Sequence, residues 1–243
     1  MLPGYALRCR MNVLPPCLNS IKSEAPAAVR CEACPAPWMH CSVRKFQKGQ
    51  YPFSQGDAQG YVYRVQSGGL TLFLSLANGR RQVVDFAFPG DLVGLGSHRQ
   101  FQFTAQAITR TELRCIPRDE LRLQSLKDAR IASMLYETAA FQLEEAYDHI
   151  LTAGQRGSEG KLAAFLLAMS RRNVHHGDDP AVVHLPMLRT DIADYLGLTA
   201  ETVSRTFTNF KAQGLIKIVD QRHVRLIEPR SLVRLVNAIA ASG

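Results

Sequence analysis

Residues 188–218 read LRTDIADYLGLTAETVSRTFTNFKAQGLIKI, and the fold of the C-terminal half turns on this stretch. Thr190 suits the N-cap of a helix over DIADYL, because its hydroxyl can satisfy an orphan backbone donor. Gly197 supplies a tight turn that bulky residues tolerate poorly. Thr199 is a second N-cap candidate, and AETVSRTFTNFKAQ predicts a helix that ends before Gly214. Two helices joined by a short turn containing glycine are the helix-turn-helix pattern. In the second helix Val203, Phe207 and Phe210 repeat by four and three and should pack inward. Glu201, Ser204, Arg205 and Thr208 occupy another face near the helix start. In this motif that part of the second helix enters the major groove of DNA. Arg205 could donate a fork to guanine O6 and N7, Glu201 could accept from cytosine N4, and Ser204 could bond either way. Each such contact is worth on the order of 1–3 kcal/mol of base discrimination. With Thr190, Thr199 and Thr208, these make up the candidate DNA-contacting set. Downstream, LIKIVDQRHVRLIEP alternates about Asp220–Gln221 as a two-stranded wing would, and Arg222, His223 and Arg225 could approach phosphates.

Working outward from this segment, SEGKLAAFLLAMSRR reads as a helix, NVHHGDDP as a polar loop and AVVHLP as a short strand. In that loop His175 and His176 are expected to face solvent. Residues 118–153 carry a long helix on which Ile131, Leu135, Ala139, Leu143, Ala146 and Ile150 form one narrow stripe. Packing on the chain's own sheet would explain such a stripe. The helix's length and the polar residues Glu137, Gln142, Glu145 and Asp148 on its other face favour a seam between two copies. Residues 44–117 break into short segments punctuated by Gly56, Gly68, Gly69 and Gly90, with a two-residue hairpin signal at Asn78–Gly79. This spacing predicts a small antiparallel barrel or jelly roll. Residues 1–43 are rich in Cys and Pro and read as an irregular arm, with Trp38 as an apolar anchor. The fold class is therefore α+β: a β-barrel or jelly roll, a long dimerisation helix at 118–153 and a winged helix-turn-helix over 154–243.

The net charge of +8 among 243 residues favours a polyanionic partner such as double-stranded DNA. No apolar run approaches the roughly 18 residues that a membrane-spanning helix needs. The N-terminal stretch, interrupted by Pro15 and Pro16, makes a poor signal peptide, so a cytoplasmic location without membrane contact is expected. Five of the six cysteines fall in the first 41 residues, a clustering that suggests metal or redox chemistry rather than disulfides. A thiol redox enzyme using Cys31 and Cys34 would need a βαβ pattern beside the pair, and none is present. No phosphate-binding loop, Ser/His/Asp set or paired-carboxylate site stands out either, so the chain is not expected to be an enzyme.

The segment LGLTAETVSRTFTNFKAQGLI resembles the recognition unit of the CRP/Fnr superfamily in its Fnr/FixK branch. The Glu-x-x-Ser-Arg pattern of that branch is met by Glu201, Ser204 and Arg205. Upstream, FQKGQYPFSQGD, VYRVQSGGLTLFLSLANGRRQVVDFAFPGDLVGL and FTAQAITRTEL resemble the family's sensor, which carries the resemblance over roughly residues 44–229. The resemblance implies a cyclic-nucleotide-binding-like β-barrel, a homodimer, TTGA-type palindromes as targets, activation of transcription and RNA polymerase as a partner. Family members that bind cyclic nucleotides carry a Gly-Glu turn and an Arg-Ser or Arg-Thr phosphate clamp. Here PGDLVGLGSHRQFQFTAQA lacks the Glu and follows Arg99 with Gln100, so no cyclic nucleotide is expected. Cys31, Cys34, Cys41 and Cys115 resemble the four-thiolate set that holds a [4Fe–4S] cluster in Fnr proteins, which would imply an anaerobic switch. Three other readings stay open: a FixK-like regulator with no cluster, a zinc site at Cys31, Cys34, Cys41 and His40, and idle thiols.

Overall fold

The computed structural model describes residues 41–77, 79–96, 98–154 and 157–237. Residues 1–40 of the arm, with Cys31, Cys34, His40 and Trp38, lie outside them, as does Asn78, whereas Ser42 and Val43 of the stretch read as arm belong to the first strand. The first half is built from β1 (Ser42–Phe46), β2 (Tyr61–Ser67), β3 (Leu70–Ser75), β4 (Arg81–Ala87), β5 (Leu92–Val93), β6 (Thr104–Ala107) and β7 (Thr111–Pro117). A four-stranded sheet in the order β1-β7-β2-β5 faces a three-stranded sheet in the order β4-β3-β6. The arrangement is a jelly-roll-like sandwich and not a closed barrel. Side-chain alternation explains the packing: Tyr63 and Val65 point into the sandwich with Leu70, Leu72, Ala105 and Leu113. Val62, Leu92 and Ile116 point out of the larger sheet toward the helices. Gly68 turns β2 into β3 at φ +81°, and a β-carbon there would run into the backbone of Arg110 and Thr111. The β3–β4 connection differs from the two-residue hairpin that Asn78–Gly79 suggests. Leu76 N donates to Arg80 O (2.9 Å), leaving three residues in the loop, and Gly79 takes φ +77°. Loops of this length place a glycine in the left-handed region.

Helices α1 (Arg118–Lys127) and α2 (Ala129–Ala153) replace the single helix expected at 118–153. Asp128 leaves the helical region (φ −130°, ψ 108°), and its carboxylate accepts from Arg130 N at 2.9 Å. A short acidic side chain that can cap a helix competes with helix continuation at that point. Next, α3 (Ser158–His176) takes in the first four residues of the segment read as a polar loop and stops at Gly177, φ +81°. Then follow β8 (Val182–His184), α4 (Arg189–Leu196), α5 (Ala200–Ala212), β9 (Ile216–Ile218), β10 (His223–Leu226) and α6 (Pro229–Asn237). Leu162, Phe165 and Leu166 of α3 form one core with Ile192, Val203, Phe207, Phe210 and Leu232, and Phe86 of the smaller sheet joins it. Among the described residues no helix is long and apolar enough to cross a membrane.

The halves meet at Arg172, which is 4% exposed. Its guanidinium donates to both carboxylate oxygens of Glu145 on α2, to Asp85 Oδ1 (2.7 Å) and to Phe86 O, the last two on β4. Burial pushes Asp85 and Glu145 above the usual carboxylate range, and Arg172 opposes that push. Beside it His176 Nε2 lies 3.0 Å from Asp91 Oδ1, so this histidine turns inward and not to solvent. Burial raises the Asp91 carboxyl, but the hydrogen bond with His176 and the charge of Arg172 outweigh it and hold the group below its ordinary value. His175 remains exposed and stacks on Phe141 with ring centroids 3.9 Å apart. Removing one partner of a buried ion set typically costs about 3–5 kcal/mol, because the remaining charges stay buried. Arg172→Ala is therefore expected to lower unfolding free energy by about that amount in urea titration; a loss under about 1 kcal/mol would mean that the carboxylates are rescued by water.

Candidate nucleic-acid interface

Helix α4 starts two residues earlier than the sequence suggests. Leu188 is the N-cap, its backbone N–H donating to Asp191 Oδ2 (3.0 Å), and Thr190 is an exposed residue of the first turn. The carboxylate three residues in accepts from the N-cap's own N–H, a bond different from the one the threonine hydroxyl would make to a donor inside the first turn. Arg189 lies over the ring of Phe207 at 3.5 Å, a cation–π contact that ties the start of α4 to the middle of α5. Gly197 ends α4 in the left-handed region (φ 62°, ψ 42°). Thr199 caps α5 as expected: its Oγ1 accepts from Thr202 N at 3.2 Å.

On α5 the two faces separate cleanly. Val203, Phe207 and Phe210 are 0–2% exposed. Thr206, which the periodicity alone does not single out, is buried with them. Its hydroxyl donates to Thr202 O (2.8 Å) and lies 3.3 Å from Ser158 Oγ at the start of α3. Glu201, Ser204, Arg205 and Thr208 are all exposed, and Asn209 extends the same face one turn beyond Arg205. Arg205, Ser204, Thr208 and Asn209 border a shallow depression of about 420 Å³ that runs to Ser158. The hydroxyls of Ser204 and Thr208 donate back to Ala200 O (2.8 Å) and Ser204 O (3.1 Å). In this rotamer Ser204 therefore offers a base edge only acceptor lone pairs, which suit the amino group of cytosine or adenine. Arg205 is exposed on the same face, and its planar fork of donors matches the O6 and N7 acceptors of guanine. Asn209 could have been found from its spacing of four from Arg205.

The wing is larger than two strands, with β10 central between β8 and β9. Asp220 forms its tip, accepting from the backbone of Arg222 (2.7 Å) and His223 (2.8 Å); these bonds hold its carboxyl below the ordinary range. His184 and His223 are directly opposed across the strands with rings stacked 4.7 Å apart. Arg222 and Arg225 are exposed.

The stripe on α2 divides. Ile131 is buried against the chain's own Val62, Ile116 and Leu121, and Leu135 is half-buried beside it. Ala139, Leu143, Ala146 and Ile150 are exposed, as are Tyr136, Tyr147 and Leu151. The polar face looks inward instead. Gln142 Nε2 donates to Leu92 O (2.7 Å), Glu145 grips Arg172, and Asp148 pairs with Arg171, whereas Glu137 is exposed.

Of the four cysteines considered as cluster ligands, two lie among the described residues. Cys115 is 1% exposed and points into the sandwich with Leu113. Ser42 is directly opposite Cys115 in the β1–β7 register, so Cys41, one residue earlier, shares the other face with Ile116. Strand alternation thus sends the two thiols to opposite sides of the sheet. Burial raises both thiols above their ordinary value, which favours the neutral form over the thiolate that binds metal. Among the described residues no group of three or more His, Cys, Asp or Glu could hold a metal ion.

Comparison with known proteins agrees with this geometry. Residues 160–235 match the Crp-like helix-turn-helix domain family, and residues 43–124 match the cyclic nucleotide-binding domain family. The chain is 34% identical over 195 residues to the nitrogen fixation regulation protein FixK of Rhizobium meliloti, covering 80% of this chain and 87% of that one. It is 31% identical over 185 residues to the transcriptional activator protein FnrL of Cereibacter sphaeroides, covering 74% and 75%. The structure of FixK2 from Bradyrhizobium japonicum superposes with a TM-score of 0.72 at 33% identity, covering 80% of this chain and 96% of that one. A jelly-roll domain joined through a long helix to a winged helix-turn-helix defines a DNA-binding transcription regulator. The chain belongs to the CRP/Fnr superfamily of transcriptional regulators, in its Fnr/FixK branch.

If Arg205 reads a base, Arg205→Ala costs about 1–3 kcal/mol on the preferred site and little on random DNA in competition gel shifts. Equal losses on both would make it a phosphate contact. Thr199→Ala should lower stability by about 1 kcal/mol through the lost cap, measured by thermal unfolding; no change would show that α5 starts without it.

Proposed function

We propose that this protein is a homodimeric transcriptional activator that places α5 in the major groove of TTGA-type palindromes and contacts RNA polymerase in the cytoplasm. The observation that carries the reading is the exposed Glu201–Ser204–Arg205 set above the buried Val203, Phe207 and Phe210. Residues 44–117 serve as sensor, α1 and α2 as the connection and dimer element, and 154–243 as the DNA-binding domain. Arg205 donates to guanine, Glu201 and Ser204 accept from amino groups, and Thr190, Thr199 and Thr208 flank them. Arg222, His223 and Arg225 of the wing contact phosphates and set register without reading sequence.

The dimer seam consists of Ala139, Leu143, Ala146 and Ile150, extended by Tyr136 and Tyr147. Ile131 and Leu135 anchor α2 to the sheet instead. An apolar face left exposed along a helix of about 37 Å is what pairing with a second copy would bury. The two-fold axis would then space two α5 helices by one turn of DNA, about 34 Å.

For the sensor, the FixK-like reading without a cluster is favoured over a [4Fe–4S] cluster bound by Cys31, Cys34, Cys41 and Cys115. A single cluster needs its thiolates on one side, and Cys41 and Cys115 face opposite ways. Oxygen or redox responsiveness, in this reading, rests on thiol oxidation rather than on a cluster.

A gel shift on a TTGA palindrome with a half-site scramble as control tests the core of the proposal; equal affinity for both would refute it. Leu143→Asp is expected to give monomers in sedimentation and to abolish tight binding to the palindrome, and a stable dimer would remove the seam. Anaerobically purified protein should be colourless and carry no stoichiometric iron and sulfide. Brown protein with about four irons per chain would restore the cluster.

A further inference from the structure

A cavity of about 430 Å³ opens between the sandwich, α2 and α4. Its sandwich end is apolar, with Leu72, Leu92, Val93 and the stacked rings of Phe53 and Phe101, 3.8 Å apart. Its other end is polar. The amide donors there are already engaged: Gln59 Nε2 binds Gly94 O (2.5 Å) and Gln142 Nε2 binds Leu92 O (2.7 Å). One group is not. His149 Nδ1 is buried without a hydrogen-bond partner, and its ring packs on Tyr195 of α4 at 4.2 Å. A buried polar atom left unmatched costs stability, and it marks where a ligand atom is missing.

The charges around the cavity decide the ligand class. Its wall includes the carboxylates of Asp85 and Glu145, and no lysine or arginine is among its described lining residues. Arg99 is exposed and does not reach it. A cyclic nucleotide phosphate would meet no free cation, because the nearby Arg172 is already held by Asp85 and both oxygens of Glu145, so the lining does not fit the ligand class for which this domain family is named. Burial lowers the basicity of His149, which keeps its ring neutral and able to accept a proton-bearing donor.

We infer that the cavity binds an uncharged planar molecule whose ring lies against Phe53 and Phe101 and whose N–H or O–H donates to His149 Nδ1. Three parts of the chain meet there: the sandwich, the exposed residues Ala146 and Ile150 of α2, and Tyr195 at the end of α4. Occupancy therefore acts on the helix that carries the turn into α5, through the Tyr195 ring. The inference concerns binding by the chain itself and holds whether or not the proposed DNA target is correct.

The test uses the full-length protein and three probes: indole, indole-3-acetate and cyclic AMP. In calorimetry indole should saturate at millimolar concentration or below, with the two anions binding at least tenfold more weakly. His149→Phe should weaken indole about fivefold, the worth of one neutral hydrogen bond. Phe103→Arg, at the cavity rim where Phe103 is 38% exposed, should raise affinity for indole-3-acetate and leave indole within twofold. Hydrogen exchange over 189–196 should slow on adding indole. Failure of indole to bind, anions binding as tightly as indole, or an unchanged exchange rate over that helix would overturn the inference.

Discussion

The structure depends on a single buried guanidinium. Arg172 stands on α3, yet its three partner residues belong to α2 and to β4, so the jelly roll, the long helix and the C-terminal domain share one charge. An arginine suits this place because its planar fork can serve several acceptors in fixed directions, which a lysine cannot. The carboxylates of Glu145 and Asp85 are costly to bury, and only a fully satisfied set makes their burial tolerable. The contact is therefore intolerant of small displacements. A shift of α2 along the sheet would leave a charge unmatched, so the three elements move together or a large penalty appears.

This constraint also explains the two faces of α2. An amphipathic helix on a sheet is expected to turn its apolar side inward. Here the inward side bears Gln142, Glu145 and His149, because their partners are the Leu92 carbonyl, Arg172 and Tyr195. The apolar side is thereby displaced outward, leaving Leu143 52% and Ile150 63% exposed. Polar fixation inside and apolar exposure outside are two results of one choice, and they make α2 suited to join copies rather than to complete a core.

What could be read from the sequence was what local rules govern. The pair α4 and α5, the inward Val203, Phe207 and Phe210, the Thr199 cap and the glycine turn at Gly197 are all legible from residue patterns within about ten residues. The shorter-range errors have the same origin. Asp128 broke a helix because capping beat propagation, and the Asp191 carboxylate fixed the start of α4 at Leu188, two residues before the cap that Thr190 could have made. Residues 173–176 looked like a loop by composition, but His176 is held by Asp91, a contact no window of sequence reveals. Arg172 was invisible for that reason: its partners lie 27 and 86–87 residues away.

Cys115 shows how a spacing argument meets the limit of one dimension. Four cysteines at suitable spacing suggest four ligands, but a strand alternates its side chains, and one position decides between the core and the opposite face of the sheet. The register that sets Ser42 against Cys115 gives that position to the core. Moving the thiol to the other face would require slipping β7 by one residue, which would also expel Leu113 from the sandwich and drive Ile116 into it. The packing of two apolar clusters opposes that slip, so the side to which the thiol points is fixed by its neighbours' hydrophobicity rather than by its own chemistry.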